Sequence, residues 1–204
     1  MIGIINYGSG NVYAIANLHN RANISHFVSD DVNKLKTADK LILPGVGAFD
    51  ETMQILKRNR LKDFLDEQVL VVKKPIIGVC VGMQILGESS EEGVEAGFGW
   101  VKGNVKKIDK TYLTQKPYLP HLGWNSIQIE NKNTLLEGID YETGFYYLHS
   151  YHFECKDEND VVATSVYGKN FVCCINHENV FGVQFHPEKS HSNGIQLFKN
   201  YANL

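Results

Sequence analysis

One cysteine stands in a short frame of glycine and valine, Gly78-Val79-Cys80-Val81-Gly82. The frame lies between an apolar run at 75–79 and a helical pattern that opens near Met83. This is the form of a nucleophile elbow, with cysteine in the nucleophile's place. Glycines two before and two after the nucleophile keep a tight turn clear of neighbouring atoms. At a helix N-terminus the dipole and free N–H groups favour a thiolate. The N–H of Val81 would then point where an oxyanion forms. The pentapeptide alone fits equally well a buried cysteine in a packed strand-to-helix turn.

A thiol nucleophile needs a proton acceptor that later protonates the leaving amine, and histidine does both near neutral pH. His186-Pro187-Glu188 follows an apolar run at 180–185. A carboxylate beside the imidazole holds it in one tautomer. Alone, the tripeptide reads as a polar turn after a core strand. Pro44-Gly45-Val46-Gly47 also follows a strand-like run, and its glycines allow a backbone N–H to face a ligand. That would supply a second oxyanion donor, although alone it is an ordinary glycine-rich turn. Three complementary features at strand ends weigh more than any one.

The elements that must carry these residues alternate in the first half of the chain. Residues 2–6, 24–28, 40–43 and 75–79 read as buried strands. Residues 12–18, 49–58 and 61–69 read as amphipathic helices, and 83–86 opens another. The β-α-β-α order predicts a mostly parallel sheet with helices on both faces, whose carboxyl edge gathers the site. From about residue 100 the runs at 101–108, 124–129, 146–153, 161–166, 171–175 and 180–185 read as strands with short turns. They predict antiparallel strands added to the same α/β domain, 1–204. A last helix spans about 194–202, with Asn193 as its expected cap.

The composition is consistent with this. The 204 residues carry 20 basic and 23 acidic side chains, a net charge of −3, which excludes a strongly basic nucleic-acid binder. A hydrophobic fraction of 43% with 11% aromatics builds a core. The first basic residue is Arg21, so a secretory leader is not expected. The longest uncharged, mainly apolar stretch, 75–87, falls short of the ~18 residues of a membrane span. Four cysteines are too few for a disulfide scaffold. A cytoplasmic protein is expected.

In combination, Gly78-Val79-Cys80-Val81-Gly82-Met83-Gln84 and Phe185-His186-Pro187-Glu188 resemble the class I (triad) glutamine amidotransferases. More narrowly, the chain resembles the HisH-type glutaminase subunits of imidazole glycerol phosphate synthase. The pattern continues through Ile4-Ile5-Asn6-Tyr7-Gly8-Ser9-Gly10-Asn11, Pro44-Gly45-Val46-Gly47 and Pro120-His121-Leu122-Gly123-Trp124-Asn125. It ends with Leu148-His149-Ser150-Tyr151 and Gly182-Val183-Gln184-Phe185-His186-Pro187-Glu188-Lys189-Ser190. The order is kept from the first strand to the last helix.

The resemblance implies a flavodoxin-like fold and a Cys-His-Glu triad. In it Cys80 is the nucleophile, His186 the base and acid, and Glu188 the orienting carboxylate. It implies an oxyanion hole at Gly47 and Val81, and glutamine contacts from Gln84, Ser150 and Tyr151. Trp124, Tyr146 and Lys189 would face a partner subunit. That partner is a (β/α)₈-barrel cyclase making imidazole glycerol phosphate and AICAR in histidine biosynthesis. Basal activity would be low until the partner docks, and ammonia would pass to it without meeting bulk water. No cofactor, metal, nucleic acid or membrane is implied. The glutaminase accounts for nearly the whole chain, so the nitrogen acceptor is expected on a separate protein. The family often has Asp at the position of Asn6, which removes a charge near the interface loop. It often has Leu at the position of Val81, a change of little consequence where the backbone acts.

Other readings fit parts of the sequence. His149, His152, Cys155, Cys173, Cys174 and His177 include zinc-ligand types, but without C-x₂-C spacing. In a strand, His149 and His152 point to opposite faces, as do Cys173 and Cys174. A non-catalytic module would keep the fold without the activity. A paralogous glutaminase would feed another synthase, such as one amidinating a surface-polysaccharide sugar. The acidic run 88–95 reads as a solvated face, or else as a mobile loop near the site. Lys102, Lys106, Lys107 and Lys110 read as protection of a strand edge, or else as a phosphate contact.

Overall fold

The computed structural model describes residues 1–204 except 115 and 117. Strands β1 (Ile2–Ile5), β2 (His26–Ser29), β3 (Lys40–Gly45) and β4 (Ile76–Cys80) alternate with helices α1 (Val12–Arg21), α2 (Val32–Lys36), α3 (Phe49–Arg58) and α4 (Leu61–Asp66). The single turn α5 (Val81–Gln84) follows Cys80. Next come β5 (Ser89–Ser90), β6 (Gly103–Lys107), β7 (His121–Asn125), β8 (Gln128–Ile129), β9 (Phe145–His149) and β10 (Tyr151–Cys155). The chain ends with β11 (Val161–Tyr167), β12 (Lys169–His177), β13 (Val180–Val183) and α6 (His191–Asn203).

Among the described residues, eleven strands form one sheet, whose main path is β2-β1-β3-β4-β13-β12-β10-β6-β5. The pairs from β2 through β13 are parallel. Every residue of β1, β4 and β13 is buried. Successive strand residues point to opposite faces, so a wholly buried strand is covered on both sides. From β13 to β12, β10 and β6 the pairing becomes antiparallel. The expected α/β class with an antiparallel second half is therefore the class observed.

The local differences have physical causes. The run at 146–153 is two strands, not one. β9 pairs with β7 in a separate two-stranded sheet, and β10 pairs with β6 in the main sheet. The change falls at Ser150, whose carbonyl accepts from Ile108 N at 3.0 Å. Phe145, Tyr147, His149 and Phe153 are all buried at odd positions, so the burial pattern runs through the break. The run at 124–129 likewise divides between β7 and β8. The helix expected to open at 83–86 starts at Val81 and lasts one turn, because Ile85 O and Leu86 O accept instead from Phe98 N and Val101 N.

Asn193 is not the cap of α6, whose N-cap position is Ser190. Asn193 is buried and ties the helix to the preceding loop, donating to Asp140 O at 2.8 Å and Gly144 O at 2.7 Å. The acidic run at 88–95 is pinned by partners, while Ser89, Glu91 and Val94 stay exposed to solvent. Glu92 accepts from Phe49 N at 2.8 Å and so caps α3, whose own N-cap, Ala48, has no side chain to offer. Asp50 accepts from Val94 N and Glu95 N in return. Glu91 binds Lys106 at 3.0 Å, and Glu95 binds Lys57. Lys106 and Lys107 lie on β6, next to the short outermost strand β5, which fits protection of that edge.

Candidate active site

The carboxyl ends of three adjacent parallel strands build the site. β4 ends in Cys80, β13 leads through Gln184 and Phe185 to His186, and β3 runs into Val46 and Gly47. The register Pro44↔Val79 and Gly45↔Cys80 sets the glycine loop beside the cysteine. Val183↔Val79 sets the histidine strand on its other side.

Cys80 has φ 56° and ψ −113°, a backbone that side chains other than glycine rarely adopt. The sharp bend lifts the sulfur out of the strand. It is possible because Gly82 lies against β3: a Cβ there would stand 2.0 Å from Leu43 O. A Cβ on Gly78 would meet Gly82 O at 2.3 Å. The two glycines are thus required by close backbone approach, as the sequence frame suggested. Gly47 has φ 101°, a conformation glycine adopts freely.

His186 and Glu188 are almost fully buried. Their contact, Nδ1 to Oε1, is 2.8 Å. The same carboxylate oxygen accepts from Asn11 Nδ2 at 2.8 Å. Burial opposes charge on the imidazole. Its hydrogen bonds with Cys80 and Glu188 outweigh that and push the pKa up to about 10. Burial likewise opposes charge on Glu188, but the His186 and Asn11 bonds hold its carboxyl below the usual carboxylate range. The imidazolium therefore stands between a carboxylate and the sulfur.

A cavity of about 270 Å³ opens over the sulfur. Gly47, Cys80, Val81, Gln84, Ser150, Tyr151 and His186 line it, so the sequence-expected nucleophile, base, oxyanion and glutamine residues share one space. Val46, Glu92, Leu148 and His149 complete much of the wall. Gln84 Nε2 donates to Tyr151 O at 3.0 Å and to Gln184 Oε1 at 2.9 Å, which leaves its own carbonyl oxygen for a ligand. Ser9 Oγ donates to Val46 O at 2.6 Å and Tyr7 OH to Pro44 O at 2.6 Å, so the 7–11 loop braces the glycine loop.

Trp124, Tyr146 and Lys189 also meet. Trp124 opposes Tyr146 across β7 and β9, and Lys189 Nζ lies 5.3 Å from the Tyr146 ring. Leu122 (61% exposed) and Leu148 (38%) stand on the same face of that sheet, and Leu148 also borders the cavity. An exposed apolar surface therefore reaches the mouth of the site.

Sequence reasoning missed Asn11, Glu92 and Gln184. Gln184 was legible, since it lies two residues before His186 and so on the same strand face. Asn11 and Glu92 reach the site only through tertiary packing. Of the candidate zinc ligands, His149 is bonded to His121 and Tyr151, and His177 to Asp160. Among the described residues, no three His, Cys, Asp or Glu side chains converge as a metal ion would require.

Comparison with known proteins adds a family context. The profile of the family Glutamine amidotransferase class-I matches residues 4–202. The imidazole glycerol phosphate synthase subunit HisH of Leptospira borgpetersenii is 46% identical over 204 residues, covering 100% of both chains. Subunit HisH 2 of Pseudomonas aeruginosa is 43% identical, again over 100% of both chains. Among solved structures, PurLQS from Thermotoga maritima aligns with a TM-score of 0.71 at 20% identity, covering 99% of this chain and 97% of the other. A glutamine amidotransferase structure aligns at 0.72 and 15% identity, covering 100% and 99%. At such identities the structural likeness speaks for the fold.

Proposed function

The chain belongs to the class I glutamine amidotransferase family, and from that premise we propose that it hydrolyses L-glutamine to glutamate and ammonia through a thioester on Cys80. The observation that carries this is the convergence of Cys80 and His186, the latter bonded to Glu188, on one cavity with Gly47, Val81, Gln84, Ser150 and Tyr151.

The sulfur attacks the side-chain amide carbon, and the amide oxygen becomes an oxyanion facing the N–H groups of Gly47 and Val81. The C–N bond breaks as His186 passes its proton to the departing nitrogen, which leaves as ammonia. His186, now neutral, takes a proton from water. The resulting hydroxide adds to the thioester, and the C–S bond breaks to release glutamate. Glu188 holds the ring in one orientation throughout. Gln84 offers the substrate an acceptor. Glu92 stands in the same wall as a carboxylate able to meet the ammonium group of an α-amino acid.

The whole of 1–204 acts as one glutaminase domain in a heterodimer. The apolar face around Leu122, Trp124, Tyr146 and Leu148, with Lys189 at its edge, docks a cyclase subunit of (β/α)₈-barrel type. Because Leu148 belongs both to that face and to the cavity, docking there carries ammonia to the partner without passage through solvent. The HisH relatives support a cytoplasmic role in histidine biosynthesis, with the complex acting as a lyase. No helix among the described residues is long and apolar enough to cross a membrane.

The test is co-purification with the cyclase, followed by ammonia release from glutamine and mass-spectrometric trapping of Cys80 with an electrophilic glutamine analogue. Labelling at Cys80 with partner-stimulated ammonia release is expected. Absence of both in the intact complex overturns the proposal. Histidine auxotrophy on deletion supports the pathway. Growth without histidine and an altered glycan would assign the chain to a paralogous synthase.

A further inference from the structure

Gln184 lies between β13 and His186 and is fully buried. Buried amides are held by partners that fix which end is nitrogen and which is oxygen. Here the assignment can be followed from a group with no choice. The carbonyl of Tyr151 can only accept. It takes a hydrogen bond from Gln84 at 3.0 Å, so the atom of Gln84 that faces it is the NH₂. The second N–H of that group reaches Gln184 at 2.9 Å, so the atom of Gln184 facing Gln84 is the carbonyl oxygen. The NH₂ of Gln184 is then left on the side of Cys80, and its nitrogen stands 3.7 Å from Sγ. Its backbone is fixed as well, with Gln184 N donating to Cys173 O at 2.9 Å.

We infer that Gln184 is a second hydrogen-bond donor to the nucleophile. Its amide donates to the Cys80 sulfur, while its carbonyl locks the glutamine-contacting Gln84. This rests on the glutaminase function proposed above and adds a residue to it. His186 surrenders its proton to the leaving nitrogen and regains one when it activates water. The Gln184 N–H is not consumed in any step. It remains at the sulfur when the C–S bond of the thioester breaks and the thiolate returns. A hydrogen bond to a charged group changes an equilibrium by about tenfold to a hundredfold. That is the size of effect expected in kcat.

The experiment compares wild type and Gln184→Met, which keeps the length of the side chain and removes the donor. The rate of iodoacetamide alkylation of Cys80, followed on its peptide by mass spectrometry, is measured against pH. Glutaminase kinetics are measured in the complex with the cyclase. The inference expects the alkylation profile to move to higher pH by about one unit or more. It also expects kcat to fall about tenfold to a hundredfold. A purely structural role would lower the yield of folded protein without moving the alkylation profile of the folded fraction.

If Gln184→Met does not fold, wild-type protein with ¹⁵N-labelled glutamine side chains supplies the measurement. The Gln184 amide resonance should shift as Cys80 titrates, and the shift should vanish in Cys80→Ala. An unmoved alkylation profile in folded Gln184→Met, or an amide resonance indifferent to Cys80, overturns the inference. The two failures are distinct. If wild-type complex releases no ammonia from glutamine, the function falls. If it does so and the alkylation profile is unmoved, only the role of Gln184 falls.

Discussion

The proposed triad of Cys80, His186 and Glu188 occupies three different environments. The sulfur sits on a strained turn at the cavity, the imidazole's pKa is raised by its two neighbours, and the carboxylate is shut away from water. Replacing the sulfur should abolish thioester chemistry. Cys80→Ala is expected to lower glutamine turnover by at least about 10³-fold, with the folded structure intact by circular dichroism. Thioester turnover surviving in that variant would remove the residue from the nucleophile's role. Glu188→Gln keeps the shape but reverses the demand on the ring, because an amide N–H facing Nδ1 favours the wrong tautomer. A loss in kcat of about 10³- to 10⁴-fold, with KM little changed, is expected. Steady-state kinetics in the complex would show it.

At the scale of elements, the site depends on how closely β3, the Cys80 turn and β13 approach one another. Gly82 has no room for a Cβ against Leu43 O. Gly82→Ala must push β3 away from the turn and is expected to destabilise the fold by about 1–3 kcal/mol, or more where the strand cannot yield. Urea unfolding would measure this, and a midpoint equal to wild type would mean the turn is looser than the structure shows. The 88–95 segment is a second case. Glu92 caps α3 from a distance and also borders the cavity, so one side chain couples helix placement to the site. Glu92→Ala is expected to cost about 1 kcal/mol of stability and to raise KM for glutamine. A loss of stability with KM unchanged would confine the residue to the cap.

At the scale of the molecule, two surfaces matter: the apolar face beside the cavity, and the interior that buries several uncharged histidines. Trp124 stacks on His191 and opposes Tyr146 at the centre of that face. Trp124→Ala is expected to weaken cyclase binding by about 30-fold or more, the scale of an interface hot spot. Titration calorimetry would detect it. Burial lowers the pKa of His19 to about 4, of His121 to about 4 and of His149 to about 3, all from 6.5. Below 6.5 the unfolded chain therefore binds protons that the folded chain refuses, and stability falls as pH drops toward 4. His186 has the opposite sign: its pKa is raised, so its contribution is present below 6.5 and lost as pH rises through about 10. The thermal midpoint should therefore fall on both sides of neutrality. Replacing His19, which packs on Phe198 far from the cavity, should flatten the acid side. An unchanged acid slope in His19→Leu would assign it to the other buried groups.

Much of this was readable along the chain. The alternation of apolar runs and amphipathic stretches shows the parallel half of the sheet, because burial on both faces demands uninterrupted apolar strands. Glycines around one cysteine, and a histidine two residues before a glutamate, point to the proposed chemistry, because a tight turn and an oriented imidazole each need local residue types at local spacing. What the chain could not show by itself is pairing at a distance. Residues 146–153 keep one burial parity while changing sheets at Ser150, since the alternation of side chains does not record which strand lies alongside. Asn193 looks like a cap until Asp140 and Gly144 are brought to it. Glu92 looks solvated until the N-terminus of α3 arrives. Gln184 shows its face in the strand period, but its donor reaches Cys80 only because Tyr151 and Gln84 orient it from other elements. Local covalent spacing determines what a residue can do, and the free energy of packing the whole chain decides which distant group it meets.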